Sequence, residues 1–409
     1  MRRTGLNIVF TGHVDHGKST LIGRLLINTN SLPESKVEEV RKVSEELGKE
    51  AELAYVTDYL KEEREQNITI DTTQIHFRTK SRDYVIIDAP GHVEFIKKMI
   101  TGSSQAEAAV LIVDVSEGVL EQTRRHAYLL HLLGLDAVIA VINKMDIVGY
   151  SEERYVEVKD QLIDFLTGLP MNPLHVIPVS AREGDNISEE TGMMPWYRGR
   201  CFLRALDSLK EEKVSYSSMP LRFPVQDIYE VDGESIVVGR VASGVIRKGQ
   251  EIVELPSGKK SLVREIKIFG RYKTSAEIFE SIGMVLQPPC SAERGSILVQ
   301  NNNIPDLNDT FRASVFWMSD TPWVIGRPHQ VQCSTQEVPC RIETITTKMN
   351  SSTLELLEKD IDRLHKYEVG DVVISTERPV FTESFSARGE FGRCVVKEEG
   401  RVVGVGIIL

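Results

Sequence analysis

Between residue 5 and about residue 210, short apolar runs alternate with stretches whose apolar residues recur at helical spacing. Residues 6–10, 74–78, 83–88, 108–114, 137–143 and 175–178 read as strands. Residues 20–26, 122–133 and 155–166 read as helices between them. This alternation predicts an α/β domain with a mostly parallel sheet and helices on both faces. Ligands of such sheets sit beyond the carboxyl ends of the strands. Residues 36–65 interrupt the pattern with a charged insert, which reads as an exposed helix followed by a mobile loop.

After about residue 212 the pattern shortens to alternating strands, such as 234–241, 251–255 and 262–269. Val231-Asp232-Gly233, Ala242-Ser243-Gly244 and Pro256-Ser257-Gly258-Lys259 supply turns between them. Short strands with glycine turns suggest a β-barrel. Asn301-Asn302-Asn303-Ile304-Pro305 reads as a linker to a second strand-rich block. The domains expected are therefore 1–212, α/β, then two all-β barrels at 213–305 and 306–409. The two barrel blocks share no visible repeat.

Composition narrows the class. A chain of 409 residues with 41% hydrophobic and 27% charged residues fits a multidomain globular protein. The net charge of −11 offers no broad basic surface, which disfavours non-specific nucleic-acid binding without excluding a local site. No apolar run is long enough to span a membrane, and the first residues lack a signal-peptide pattern. The five cysteines, Cys201, Cys290, Cys333, Cys340 and Cys394, are odd in number and irregular in spacing, as reduced thiols would be. Cys333 and Cys340 read as strand residues rather than a zinc pair. A cytoplasmic location without membrane contact is expected.

The chemistry is concentrated at predicted strand ends. GHVDHGKST runs from Gly12 through His13, Val14, Asp15, His16, Gly17, Lys18 and Ser19 to Thr20, straight after an apolar strand. This G-x-x-x-x-G-K-[ST] pattern is a phosphate cradle. Its backbone amides wrap the phosphates, Lys18 reaches the β/γ oxygens and the Ser19 hydroxyl faces Mg²⁺. Asp88-Ala89-Pro90-Gly91-His92 follows the third strand. Asp88 suits Mg²⁺, and the Gly91 amide suits the γ-phosphate. Asn143-Lys144-Met145-Asp146 follows the fifth. Asp146 can accept hydrogen bonds from the guanine N1–H and 2-amino group, and Asn143 can bond the Hoogsteen edge. Ser180-Ala181-Arg182 can present an amide to guanine O6. A buried carboxylate left unpaired by the wrong base penalises adenine. GTP or GDP with Mg²⁺ is the expected cofactor set. Thr69, in Ile68-Thr69-Ile70-Asp71, suits a loop that ligates Mg²⁺ only while the γ-phosphate is present. An edge-strand threonine is the competing reading. His92 is the candidate for orienting the attacking water, with Val14 and Ile68 as an apolar gate. A structural helix-start histidine is the alternative.

Taken together, GHVDHGKST, REQNITID, DAPGH, NKMD and SAREGDN resemble the GTPases of the elongation factor Tu/1-alpha superfamily along essentially the whole chain. The resemblance implies a GTPase domain and two β-barrels, with Lys18, Ser19, Thr69, Asp88, Asn143, Asp146 and His92 in the roles above. Several stretches, at 121–135, 185–199, 221–229 and 241–269, look similar to the GTPase subunit of ATP sulfate adenylyltransferase. That likeness implies a partner catalytic subunit making adenosine 5′-phosphosulfate, and it is the preferred expectation. A carrier of aminoacyl-tRNA is the alternative, supported by the three-domain plan and by His16. A GTP-binding protein with negligible turnover is a third, suggested by Asn67, which stands where both families usually carry glycine. Pro288-Pro289-Cys290-Ser291-Ala292 also departs from a typically acidic stretch.

Overall fold

The computed structural model describes residues 5–32, 34–47, 53, 55, 56, 58, 74–88, 106–135, 137–169, 171–209, 219–231, 233–268, 271–385 and 390–409. They form two compact units, the first α/β and built mainly on residues before 211, the second all-β.

The α/β unit carries β1 (Leu6–Gly12), β2 (Gln74–Arg78), β3 (Asp83–Asp88), β4 (Ala108–Asp114), β5 (Val138–Asn143) and β6 (His175–Pro178) in the order β2-β3-β1-β4-β5-β6. β2 is antiparallel to β3, and every other pairing is parallel. β4 and β5 are buried at every position, because helices cover both faces of a parallel sheet. The described helices are α1 (Lys18–Asn28), α2 (Glu34–Leu47), α3 (Glu121–Leu132), α4 (Glu152–Gly168) and α5 (Phe202–Asp207). Ile8 and Phe10 of β1, Val110 and Ile112 of β4 and Val141 of β5 alternate onto one face. They meet Leu21, Ile22 and Leu25 of α1 and Phe202, Ala205 and Leu206 of α5. Val158, Leu162 and Leu166 make a buried stripe at four-residue intervals on α4. The insert helix α2 departs from its expected exposure. Val37 is exposed, but Val40 is buried and joins this core. In the segment expected to be a loop, Leu53, Tyr55, Val56 and Asp58 are helical, with Leu53 and Val56 buried, and residues 59–73 lie outside the described residues.

In the all-β unit, β7 (Arg222–Val231), β8 (Glu234–Arg240), β10 (Glu251–Leu255), β11 (Lys260–Ile268), β14 (Ser281–Gln287) and β15 (Ile297–Gln300) pair in the order β10-β15-β7-β8-β14-β11. β10 also pairs with β11, which closes the ring. β12 (Arg271–Lys273) extends β11, and β9 (Val245–Arg247) pairs with β13 (Ser275–Glu277). A closed barrel follows: β16 (Asn308–Trp317), β21 (Glu368–Val380), β19 (Gln336–Asn350), β18 (His329–Cys333), β22 (Arg393–Glu398) and β23 (Arg401–Ile408). A short pair, β17 (Trp323–Val324) and β20 (Arg363–Leu364), stands beside it. Trp317 and Trp323 stack in the barrel core with ring centroids 5.2 Å apart, and His329 stands edge-on to Trp317 at 5.4 Å. Cys333 and Cys340 are free and buried, and burial pushes both thiols up to about 12. A separate apolar seam joins the two β domains. Val253, Leu255, Ile297 and Val299 of the ring meet Phe381 and Phe391 of the barrel. Among the described residues no helix is long and apolar enough to cross a membrane.

Candidate nucleotide-binding site

The cradle lies where the sheet changes direction. β1 is flanked by β3 on one side and β4 on the other, and its carboxyl end feeds α1 through residues 13–17. Gly12 pairs with Ile112, so close that a Cβ would sit 2.7 Å from the Ile112 carbonyl oxygen. Gly17 has φ +87°, and a Cβ there would overlap Asn143 Nδ2. Asp15, also in the loop, takes a left-handed φ of 65° without being glycine, a sign of stored strain. α1 has neither a side-chain cap nor an acidic residue in its first turn. Its amides and its dipole therefore favour an anion, and the glycines leave room for one. Lys18, Ser19 and Thr20 open the helix, half-buried. His13 is half-buried, whereas Val14 and Asp15 are exposed.

His16 is fully buried. Its Nδ1 lies 3.2 Å from the Asp114 amide and 3.4 Å from the Ile112 carbonyl, and its Nε2 stands 3.1 Å from Glu117 Oε2. This ties the cradle to the loop after β4. The neighbouring Asp114 side chain is held by Lys144 Nζ at 2.6 Å and by the amide and hydroxyl of Ser116 at 2.8 and 2.6 Å. Burial alone would raise the Asp114 carboxyl, but the Lys144 ammonium and Ser116 bring it below the ordinary carboxylate value. Lys144 itself has φ 65°.

The residues expected to read the base gather at the ends of β5 and β6. Asn143 ends β5, buried, beside Asp114. Its Nδ2 donates to the His16 carbonyl at 3.0 Å, and its Oδ1 accepts the Ala181 amide at 3.0 Å. Ala181 belongs to the Ser180-Ala181-Arg182 segment from which an amide is expected to face guanine O6. Asn143 is a strut between two loops that keeps one amide hydrogen for a base. Asp146 Oδ1 accepts the Ser180 hydroxyl at 2.5 Å, and among the described residues nothing hydrogen-bonds Oδ2. Ser180 Oγ also accepts the Glu183 amide at 3.2 Å. Behind this loop, Asp185 takes Tyr150 OH and Thr191 Oγ1, each at 2.6 Å.

Gly12, His16, Gly17, Asn143, Asp146, Ser180 and Ala181 therefore converge at one edge of the sheet. Asp88 ends β3 in register with Phe10, on the same edge. Ser19, expected from the sequence to face Mg²⁺, stands at the start of α1. Thr69, Gly91 and His92 lie outside the described residues. Arg24 was not singled out by motif reading. It is a buried arginine in α1 whose Nε donates to the Ala181 carbonyl at 3.1 Å and whose Nη2 donates to the Arg182 carbonyl. The signal was present: one charged residue among Leu21, Ile22, Leu25 and Leu26.

A family profile described as "Elongation factor Tu GTP binding domain" matches residues 3–221, and one described as "GTP-eEF1A C-terminal domain-like" matches residues 310–409. The chain belongs to the elongation factor Tu/1-alpha superfamily of translational GTPases. Its α/β unit is that family's GTP-binding domain, which binds GTP and GDP. Elongation factor 1-alpha of Pyrococcus furiosus is 36% identical over 99% of this chain and 97% of its own. That of Saccharolobus solfataricus is 38% identical over 99% of this chain and 96% of its own. A crystal structure of sup35 complexed with GDP covers 100% of this chain and 94% of its own, at 24% identity and a TM-score of 0.45.

Proposed function

We propose that this chain is a GTP-driven carrier that takes aminoacyl-tRNA to the ribosome. The observation behind this reading is coverage: relatives named elongation factor 1-alpha align with 99% of the chain and with 96–97% of their own length. The expectation of a sulfate-activation subunit loses its priority. Its supporting stretches, 121–135 and 241–269, contain many core positions, among them Ala127, Leu129, Leu130, Ile246, Ile252, Val263 and Ile266. Such positions report packing rather than partner choice.

In this proposal Lys18 and the first-turn amides of α1 bind the phosphates, and Asp146 and Asn143 read guanine. Ser19, Asp88 and Thr69 would hold Mg²⁺, which when bound neutralises charge on the β and γ oxygens. The Gly91 amide senses the γ-phosphate, and His92 orients water for hydrolysis. His92→Ala should leave GTP affinity within about twofold while slowing single-turnover hydrolysis by roughly a hundredfold or more. Undiminished turnover would remove His92 from the reaction.

The carrier reading is tested by filter retention of charged tRNA. The GTP-loaded protein should retain it at least about tenfold more tightly than the GDP-loaded protein. Retention no greater than a protein-free control would end the proposal. GTP-stimulated adenylyl transfer to sulfate by an added catalytic subunit would instead restore the other reading.

A further inference from the structure

We infer that Arg24 is a positioning residue for guanine recognition, holding the base-reading loop at a fixed distance from the phosphate cradle. It lies less than two helical turns from Lys18, on the helix whose start faces the phosphates. Its guanidinium is buried and grips the Ala181 and Arg182 carbonyls. Ala181 is held from both sides, its carbonyl by Arg24 and its amide by Asn143 Oδ1. Asn143 Nδ2 then returns to the His16 carbonyl, inside the cradle. The circuit runs from cradle to helix, Arg24, Ala181, Asn143 and back to the cradle. It links the residues assigned to the phosphates with those assigned to the base.

The planar fork of arginine suits this place. The carbonyls of the consecutive residues Ala181, buried, and Arg182, exposed, take two donors at fixed spacing, and a guanidinium supplies them from one rigid group. The loop's internal bonds, Ser180 N–H to the Asp185 carbonyl at 3.2 Å and Gly184 N–H to the Ser180 carbonyl at 2.8 Å, shape it without anchoring it to α1. Arg24 anchors it at Ala181 and Arg182, and the Asn28 side-chain amide at the end of α1 holds the Ser188 hydroxyl further along at 3.1 Å. The Ser180 hydroxyl that steadies Asp146 belongs to the same loop, so releasing Arg24 loosens the group that reads the base.

This inference rests on Asp146 and Asn143 reading guanine. In the full-length protein, Arg24→Ala should raise the dissociation constant for GDP about tenfold or more, as loss of a charge-assisted hydrogen-bond pair would. Single-turnover hydrolysis at saturating GTP should stay within about twofold, since the phosphate end is untouched. Arg24→Gln, which offers one amide to the same carbonyls, should recover part of the affinity. A folded Arg24→Ala protein with GDP affinity within about twofold of wild type overturns the inference, as does a loss of turnover with affinity unchanged. If Arg24→Ala does not fold, Arg24→Met, which keeps the aliphatic stem but offers no donor, decides by the same criterion. Wild-type protein that fails to prefer GDP over ADP refutes the guanine reading itself, and the inference with it. Normal GDP preference with an unaffected Arg24 variant refutes the inference alone.

Discussion

Asp146 and Gly17 show how much of the site depends on single atoms. Asp146 spends one oxygen on Ser180, which fixes the carboxylate so that Oδ2 can meet a donor on the base. Asp146→Asn turns that acceptor edge into a donor edge, so the protein should come to prefer xanthosine diphosphate over GDP by tenfold or more, a shift of about 1.4 kcal/mol or larger. Competition of the two nucleotides for a fluorescent analogue measures it, and unaltered GDP preference would contradict the assignment. Gly17→Ala adds a methyl group onto Asn143 Nδ2 at a φ of +87°. It should abolish tight GDP binding and cost roughly 1–3 kcal/mol of stability, read from a urea midpoint. These residues were legible because their spacing is local: Gly12, Gly17, Lys18, Asn143 and Asp146 each fall in a short motif beside a strand. Arg24, Glu117 and the Asp114–Lys144 pair were not. Their partners come from other loops, and no local period records such contacts.

At the scale of elements, periodicity located the strands well and the helix ends less well. The α4 pattern was expected from residue 155, yet the helix begins at Glu152, where the Ser151 hydroxyl caps it by accepting the Arg154 amide at 3.2 Å. Glu152, Glu153 and Arg154 carry no apolar signal, so a pattern of buried positions starts one turn late. α2 misled in the opposite sense. Its sequence is mostly charged, and the burial of Val40 depends on what the fold brings against it. β18 carries a titratable group into an apolar core. His329 stands among Trp317, Trp323, Arg327 and Glu398, with Arg327's carbonyl near Nδ1 at 3.4 Å and Glu398 3.8 Å from Nε2. Burial lowers its pKa, opposed by the Arg327 carbonyl and Glu398. The folded state therefore prefers the neutral ring. The stabilisation is complete above the unfolded value of about 6.5 and is lost as pH falls through the folded value, at up to about 1.4 kcal/mol per pH unit. Urea midpoints at pH 7.5 and 5.5 should fall with acidity in wild type, and the fall should shrink in His329→Gln. Identical slopes would show that other groups govern the response.

For the whole molecule, the turn signals revealed two strand-rich blocks but gave no sign of their junction. Phe381 and Phe391 sit in a stretch without strand periodicity, and only the fold shows that they pack against Val253, Leu255, Ile297 and Val299. Arg222 reinforces this junction. Its guanidinium lies over the Phe381 ring at 5.2 Å, bonds Asn303 Oδ1 at 3.0 Å and approaches Glu383 at 3.4 Å. Arg222→Ala should destabilise the all-β unit by roughly 2–4 kcal/mol, lowering its thermal midpoint by several degrees in scanning calorimetry. A shift of less than about one degree would place the strength of the junction elsewhere. The seam also bears on how such a protein can be divided. A cut at the linker near Pro305 would leave each β domain with a bare aromatic or aliphatic face, the kind of surface that drives aggregation. Heat should therefore open both barrels in one endotherm, and the pair, rather than either barrel, is the smallest piece that recombination could exchange intact.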